Sequence, residues 1–257
     1  MVDWERIVAD TAHRPWPLPA RPWAMTMTWR DLLFAHWSFA PEVVRSRLPQ
    51  ALELDTFDGR AWVGVVPFRM ERVGPRGLGA LPARLPGPRA FPELNVRTYV
   101  RHQGKPGVWF WSLDAASAAA VWGGRTFFHL PYFRAEMTVG ERGGWVDYRS
   151  RRTDRRIGAG ELAGRYRPAG ESFRARPGSL EHWLTERYCL YAVDRRGRVR
   201  RGEIHHPPWP LAEAEAEFGV LTVADAHALR LEGEPGGRTP LLHFAARLDV
   251  VAWWLSS

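Results

Sequence analysis

Between Phe91 and Met137 the chain carries two strand-like runs on either side of a short turn. The first, FPELNVRTYV, puts Glu93, Asn95, Arg97 and Tyr99 on one face and Leu94, Val96, Thr98 and Val100 on the other, because successive side chains of a strand point to opposite sides. The second, VWFWSLDA, follows the turn RHQGKPG; aromatic and β-branched runs flanking such a turn predict a hairpin. A four-residue loop, Gln103 to Pro106, pairs His102 with Gly107. It sets Arg97 opposite Ser112 and Asn95 opposite Asp114, gathering Ser112 and Asp114 beside Glu93 and Arg97. A five-residue loop puts Trp109, Trp111 and Leu113 there instead. The pattern is compatible with both.

The remaining pattern is also mostly strand. A short helical piece, Trp4 to Ala9, precedes a Pro- and Trp-rich strap from Arg14 to Trp23, where proline favours extended chain without ladder bonds. WRDLLFAHWSF reads as a strand, PEVVRSRLP as a short helix opened by Pro41, and AWVGVVPFRMERV as a long strand whose Pro67 predicts an edge or a bulge. Gly74 to Pro92 has no periodicity and reads as a long loop of the kind that forms lids. Ala115 to Val121 is helix-prone up to Gly123-Gly124. TFFHLPYFRAEMTV and WVDYRSRR form a strand pair, and Arg156 to Tyr166 adds another strand. SLEHWLTE is a helix with Ser179 as N-cap. RYCLYAVD pairs with RVRRGEIHH, LAEAEAEF fits helix or an exposed strand face, and PLLHFAARLDVVAWW closes the chain as a buried strand. Many strands with only short helices predict a mainly β fold, a single closed or sandwich-like antiparallel domain over 29–257 behind an N-terminal arm over 1–28.

Composition narrows the function classes. No apolar run approaches the roughly 20 residues that span a bilayer, and the N-terminus lacks the basic-then-apolar pattern of a secretory signal. The single Cys189 cannot form an internal disulfide, and its setting in RYCLYAV marks it as a small core residue. A cytoplasmic protein with no membrane association is the expectation. The net charge of +8 is carried almost wholly by arginine. The arginines are scattered and replace lysine wholesale, which points to compositional bias rather than to a nucleic-acid surface. The densest cluster, Arg149 to Arg156, reads as a solvated edge or hairpin. Asn95 is the only asparagine and Lys105 the only lysine. Asparagine is disfavoured in strands, so Asn95 is expected to make a specific hydrogen bond.

No phosphate loop, dinucleotide fingerprint, HExxH or paired-cysteine metal site is present, and Ser112-Leu113-Asp114 is not a nucleophile elbow. No metal or cofactor is expected; His205-His206 precedes two prolines that fix backbone shape. The constellation with chemical content is Glu93, Asn95, Arg97 and Tyr132, with His36 and Ser112 as further ligand contacts. A carboxylate beside a guanidinium also makes an ordinary structural pair. Inside a cavity, the same set supplies an anion clamp from Arg97, an acid or base from Glu93, and orienting hydrogen bonds from Asn95 and Tyr132.

The runs LLFAHWSF, LPQALELDTFDGRAWVGVVPF, FPELNVRTYV, GVWFWSLDA, LPYFRAEM, LTERYCLYAV, HHPPWPL and LLHFAARLDVVAW resemble the bacterial domain-of-unknown-function family 2071, over about Thr28 to Trp254. That family is similar in turn to acetoacetate decarboxylase. The resemblance implies a cone-shaped antiparallel β barrel with short helices and an internal cavity. The decarboxylase works through a Schiff-base lysine beside a second lysine. In the similar stretch FFHLPYFRA, Tyr132 and Phe133 take those positions, and neither forms an imine. Glu93 in FPELN resembles a glutamate of the decarboxylase site. Lys105 lies in a turn, not at the matching position.

The leading expectation is a pocket for a small carboxylate or oxo-acid, with Glu93 and Tyr132 available for proton transfer and an oligomer compatible with it. The alternatives are a lyase or decarboxylase working without the usual lysine, and a basic surface for nucleic acid or a partner protein.

Overall fold

The computed structural model describes residues 2–76, 90–231 and 239–256. In chain order the elements are α1 (Trp4–Ala9), β1 (Met25–Phe39), α2 (Pro41–Arg45), β2 (Glu53–Leu54), β3 (Ala61–Pro75), β4 (Ala90–His102), β5 (Lys105–Ala115), α3 (Ala118–Phe128), β6 (Tyr132–Arg142), β7 (Trp145–Arg152), β8 (Glu161–Pro168), α4 (Leu180–Thr185), β9 (Cys189–Val193), β10 (Val199–His205), β11 (Ala212–Leu221) and β12 (Leu241–Ala252). The fold is mainly β. Ser179 caps α4, accepting from the His182 N–H, and LAEAEAEF is strand. Among the described residues no helix is long and apolar enough to cross a membrane.

The strands form a ring-like sheet. Pairings run β4-β5-β6-β7-β8-β11-β12-β1-β3 and return to β4, and a second circuit leaves β5 through β9 and β10 to rejoin β12. Strands β12, β1, β3, β4 and β5 belong to both circuits and are covered on both faces. Both faces of β4 are therefore buried, although one of them carries Glu93, Asn95 and Arg97. Leu94 and Val96 of β4 pack with Tyr148 and Tyr166 on one side, while Phe91 joins Phe68 and Met70 on the other.

The sheet is not purely antiparallel: β5 pairs in parallel with β6 and with β9. A parallel pair needs a crossover connection, and α3 supplies it between β5 and β6. The expected strand from Thr126 is helix as far as Phe128. His129, in the left-handed region at φ 51°, closes α3 by donating its N–H to the Gly124 carbonyl.

The hairpin register differs from both expectations. His102 pairs with Lys105 across a two-residue turn, with Gln103 at φ 52° and Gly104 at φ 75°. Two positive φ values give a turn whose twist matches that of the flanking strands. Arg97 then lies opposite Phe110 but Val96 opposite Ser112, which leaves Trp111 as an extra residue, a β-bulge.

Pro67 has strand neighbours on both sides, so it is not on an edge. It lies opposite the register shift between Arg30 and Ala35 of β1, and the bulge alternative is the one realised. The ends of the expected lid loop are strand, Gly74 and Pro75 in β3 and Ala90 to Pro92 in β4; its 77–89 portion lies outside the described residues. The chain enters β1 at Met25, four residues before the strand expected from Trp29.

Candidate ligand-binding site

The bulge at Trp111 decides which side chains meet. Before it, Val108 and Phe110 share the face of Glu93, Asn95 and Arg97; beyond it, parity reverses and Leu113 and Ala115 take that face. Ser112 and Asp114 turn away with Trp111. There Arg152 of β7 donates to both Asp114 oxygens at 2.8 and 2.9 Å and to Ser112 Oγ at 3.2 Å. Burying a carboxylate raises its pKa, and this ion pair opposes that effect at Asp114. Ser112 thus serves a buried salt bridge and does not line the cavity. Arg152 is itself buried, so the basic cluster over 149–156 is not wholly a solvated edge.

On the other face, a cavity of about 510 Å3 opens inside the second circuit, lined by Glu93, Asn95, Arg97 and Tyr132 among mainly apolar neighbours. Tyr132 enters beneath α3, where Gly124 makes room: a Cβ there would stand 2.3 Å from the tyrosine ring. The Tyr132 hydroxyl donates to Glu93 Oε2 at 3.0 Å. The Asn95 amide also bonds Glu93, while its Oδ1 is buried without a partner. Burial pushes the Glu93 carboxyl up to about 8, against these hydrogen bonds, which favour the ionised form. Burial, with Glu93 alongside, also raises the Tyr132 phenol well above its ordinary range. At neutral pH Glu93 is mostly a neutral acid, able to donate as well as accept.

Arg97 sits two positions beyond Asn95 on β4, opposite Gly64 of β3. A side chain at Gly64 would crowd His36 Nε2 at 3.0 Å and Arg97 Cγ at 3.4 Å. The guanidinium lies 5.2 Å from the Phe34 ring centre and 5.6 Å from that of Tyr99. It donates to the Leu184 carbonyl at 3.3 Å and the Tyr99 hydroxyl at 3.4 Å, and its Nε is buried without a partner. Among the described residues it forms no ion pair, so the ordinary Glu93–Arg97 salt bridge is not what the structure contains. His36 is buried behind it, 2.6 Å from the Tyr99 hydroxyl, and outside the cavity wall. Burial and the nearby Arg97 charge hold its pKa well below the usual histidine value.

Arg187 is a cavity-lining cation that the sequence pattern did not flag. It donates to Asp55 at 2.7 Å, stacks over Trp183 at 4.3 Å and Tyr99 at 4.9 Å, and leaves Nη2 unpartnered. It comes from the irregular turn between α4 and β9, where no periodicity marks a face. Lys105 stands outside the cavity, 3.7 Å from Glu203 and 5.2 Å from the Trp16 ring centre. Cys189 is buried, and burial raises its thiol to about 11, which keeps it protonated. His205 and His206 bond main-chain carbonyls, Ile7 at 2.9 Å and Pro207 at 2.8 Å.

A family model described as an uncharacterised conserved protein, domain-of-unknown-function family 2071, matches residues 26–249. The uncharacterised protein YqjF of Bacillus subtilis (strain 168) is 46% identical over 236 residues, covering 92% of this chain and 93% of that protein. Among solved structures, the enduracididine biosynthesis enzyme MppR, complexed with the condensation product of pyruvate and imidazole 4-carboxaldehyde, superposes with TM-score 0.62 at 15% identity, covering 92% of this chain and 89% of that one. Acetoacetate decarboxylase from Legionella pneumophila superposes with TM-score 0.55 at 13% identity, covering 97% and 94%. At these identities the likeness is one of fold.

Proposed function

The chain belongs to domain-of-unknown-function family 2071, and from that premise we propose that its cavity binds a small carboxylate or oxo-acid. The observation that carries the reading is Arg97: a guanidinium buried in a mainly apolar cavity, without an ion pair among the described residues and with Nε unpartnered. An uncompensated buried charge is costly, and a bound carboxylate offsets that cost through charge-assisted hydrogen bonds. Arg187 adds a second donor with a free Nη2. Nearer the opening, protonated Glu93, which accepts from the Tyr132 hydroxyl, is a donor for a carbonyl oxygen, and Asn95 Oδ1 is a free acceptor. The pyruvate-derived ligand named for MppR is of the same chemical class.

Chemistry in this cavity would run by proton transfer. The only lysine, Lys105, is held by Glu203 and Trp16 away from the site. Glu93, with a pKa of about 8, can both give and take a proton near neutral pH. Turnover would therefore take the form of proton exchange at a carbon next to the ligand carbonyl.

The test is calorimetric titration with pyruvate and larger oxo-acids, on wild type, Arg97→Met and Glu93→Gln. Losing one charge-assisted contact is worth about 1.5–3 kcal/mol, so Arg97→Met should weaken binding about ten- to a hundredfold while the protein stays folded. Glu93→Gln should keep carboxylate binding but abolish deuterium exchange into the oxo-acid. Unchanged affinity in Arg97→Met would remove the reading.

A further inference from the structure

The cavity is graded from end to end. Strand register places Arg97 opposite Gly64, Asn95 opposite Val66, Glu93 opposite Phe68 and Phe91 opposite Met70. Polar groups thus occupy the deep half, beside Thr185 and Arg187, and apolar ones the half nearer Met25. At that outer end the wall consists of Met25, Met27, Met70, Phe127, Phe128 and Trp254. Phe127 and Trp254 are each 49% exposed, against 2% for Glu93 and 9% for Arg97, so the cavity reaches the surface between α3 and the end of β12. The Phe128 and Trp254 rings stack at 5.4 Å, and Phe127 lies edge-on to Trp254 at 6.2 Å.

Two facts do not fit a three-carbon ligand. A cavity of about 510 Å3 falls within the roughly 300–1,000 Å3 of sites that take drug-sized ligands, well beyond what pyruvate needs. And three of the chain's five methionines line the outer end, where an unbranched, polarisable side chain suits an apolar partner of variable shape. An apolar tail gains stabilisation by covering a wall of this kind.

We propose that the ligand is amphipathic: a carboxylate or oxo-acid bearing a medium-length alkyl or aromatic tail, its anion seated at Arg97 and Arg187 and its tail running past Glu93 to the methionine- and aromatic-lined mouth. This rests on the anion-binding reading above and adds the class of ligand.

The experiment is a chain-length series of straight 2-oxo-acids, from pyruvate to 2-oxodecanoate, titrated against wild type, Arg97→Met and the double variant Phe127→Ser/Trp254→Ser. At about 0.8 kcal/mol per buried CH2, each added methylene should lower Kd about fourfold until the mouth is reached. The double variant, altered only at half-exposed positions, should lose tenfold or more for the long acids and nothing for pyruvate. A Kd that does not change with chain length, while every acid binds, would overturn the amphipathic assignment and leave the anion site standing. A graded series that Arg97→Met leaves untouched would remove the anion site but keep the apolar tail. Binding by none of the acids would sink both.

Discussion

A carboxyl group that keeps its proton near neutral pH is set by its surroundings, and Glu93 is almost without water. Its folded value of about 8, against an ordinary value of 4.5, makes stability depend on pH. Between those values the unfolded chain releases the proton and the folded protein retains it. The contribution is complete below about pH 4.5 and is lost as pH rises through about 8, at about 1.4 kcal/mol per pH unit in between. Glutamine cannot titrate, so the stability difference between wild type and Glu93→Gln should slope downward from pH 5 to 8 and flatten above. Urea unfolding across that range measures it, and parallel curves would contradict the assignment. The histidines whose values burial depresses, His36, His205, His206, His227 and His243, act with the opposite sign below their usual range and cancel in the difference. The trio Glu93, Asn95 and Arg97 was legible because a strand has a period of two. That Asn95 makes a specific hydrogen bond was legible from its rarity in strands. The missing Glu93–Arg97 ion pair was not legible, because two side chains on one strand face need not point at each other.

At the scale of elements, two of the places where reading from pattern failed can be traced to particular residues. Parity along β5 holds only until an extra residue enters, and no residue type announced the bulge at Trp111. Ser112 therefore left the expected face and joined Arg152. Gly123-Gly124 was read as a stop, but α3 continues to Phe128, and Gly124 stands where Tyr132 passes beneath the helix. This second case can be tested against helix propensity itself. Replacing a glycine inside a helix with alanine ordinarily gains about 1 kcal/mol. At Gly124 the new Cβ would stand 2.3 Å from Tyr132 Cδ2 and 2.4 Å from Cε2, and overpacking of that kind costs about 1–3 kcal/mol. Gly124→Ala should therefore destabilise the protein and push Tyr132 off Glu93, moving the pH dependence described above. Gly123→Ala, one residue away with nothing within 4 Å, should be neutral or stabilising. Equal effects of the two in thermal unfolding would mean that Tyr132 is not packed as described.

For the whole molecule, the question is what closes the second circuit, since that closure makes the cavity. The seam is short: β5 meets β9 in parallel through Val108–Leu190 and Trp109–Tyr191, and β10 meets β12 through Ile204–Ala252 and His205–Val251. Gly107 stands at the first seam. A Cβ there would lie 2.7 Å from Cys189 Sγ and 2.8 Å from the Cys189 carbonyl oxygen. The sulfur could be removed by a further substitution, but the carbonyl belongs to the backbone and cannot yield without moving β9. Gly107→Ala should therefore part β5 from β9. Hydrogen exchange should quicken in β9 and β10, while β7 and β8, which close the other circuit, keep their protection. Adding Cys189→Ala should restore only part of the loss, because the carbonyl contact remains. Affinity for the proposed oxo-acid ligand should fall with the seam, since the walls from Leu190 and Ile204 travel with these two strands. Gly140→Ala, with nothing within 4 Å, provides the neutral comparison. If Gly107→Ala instead quickened exchange evenly in every strand, the two circuits would open as one cooperative unit. The cavity could then not loosen without the whole ring.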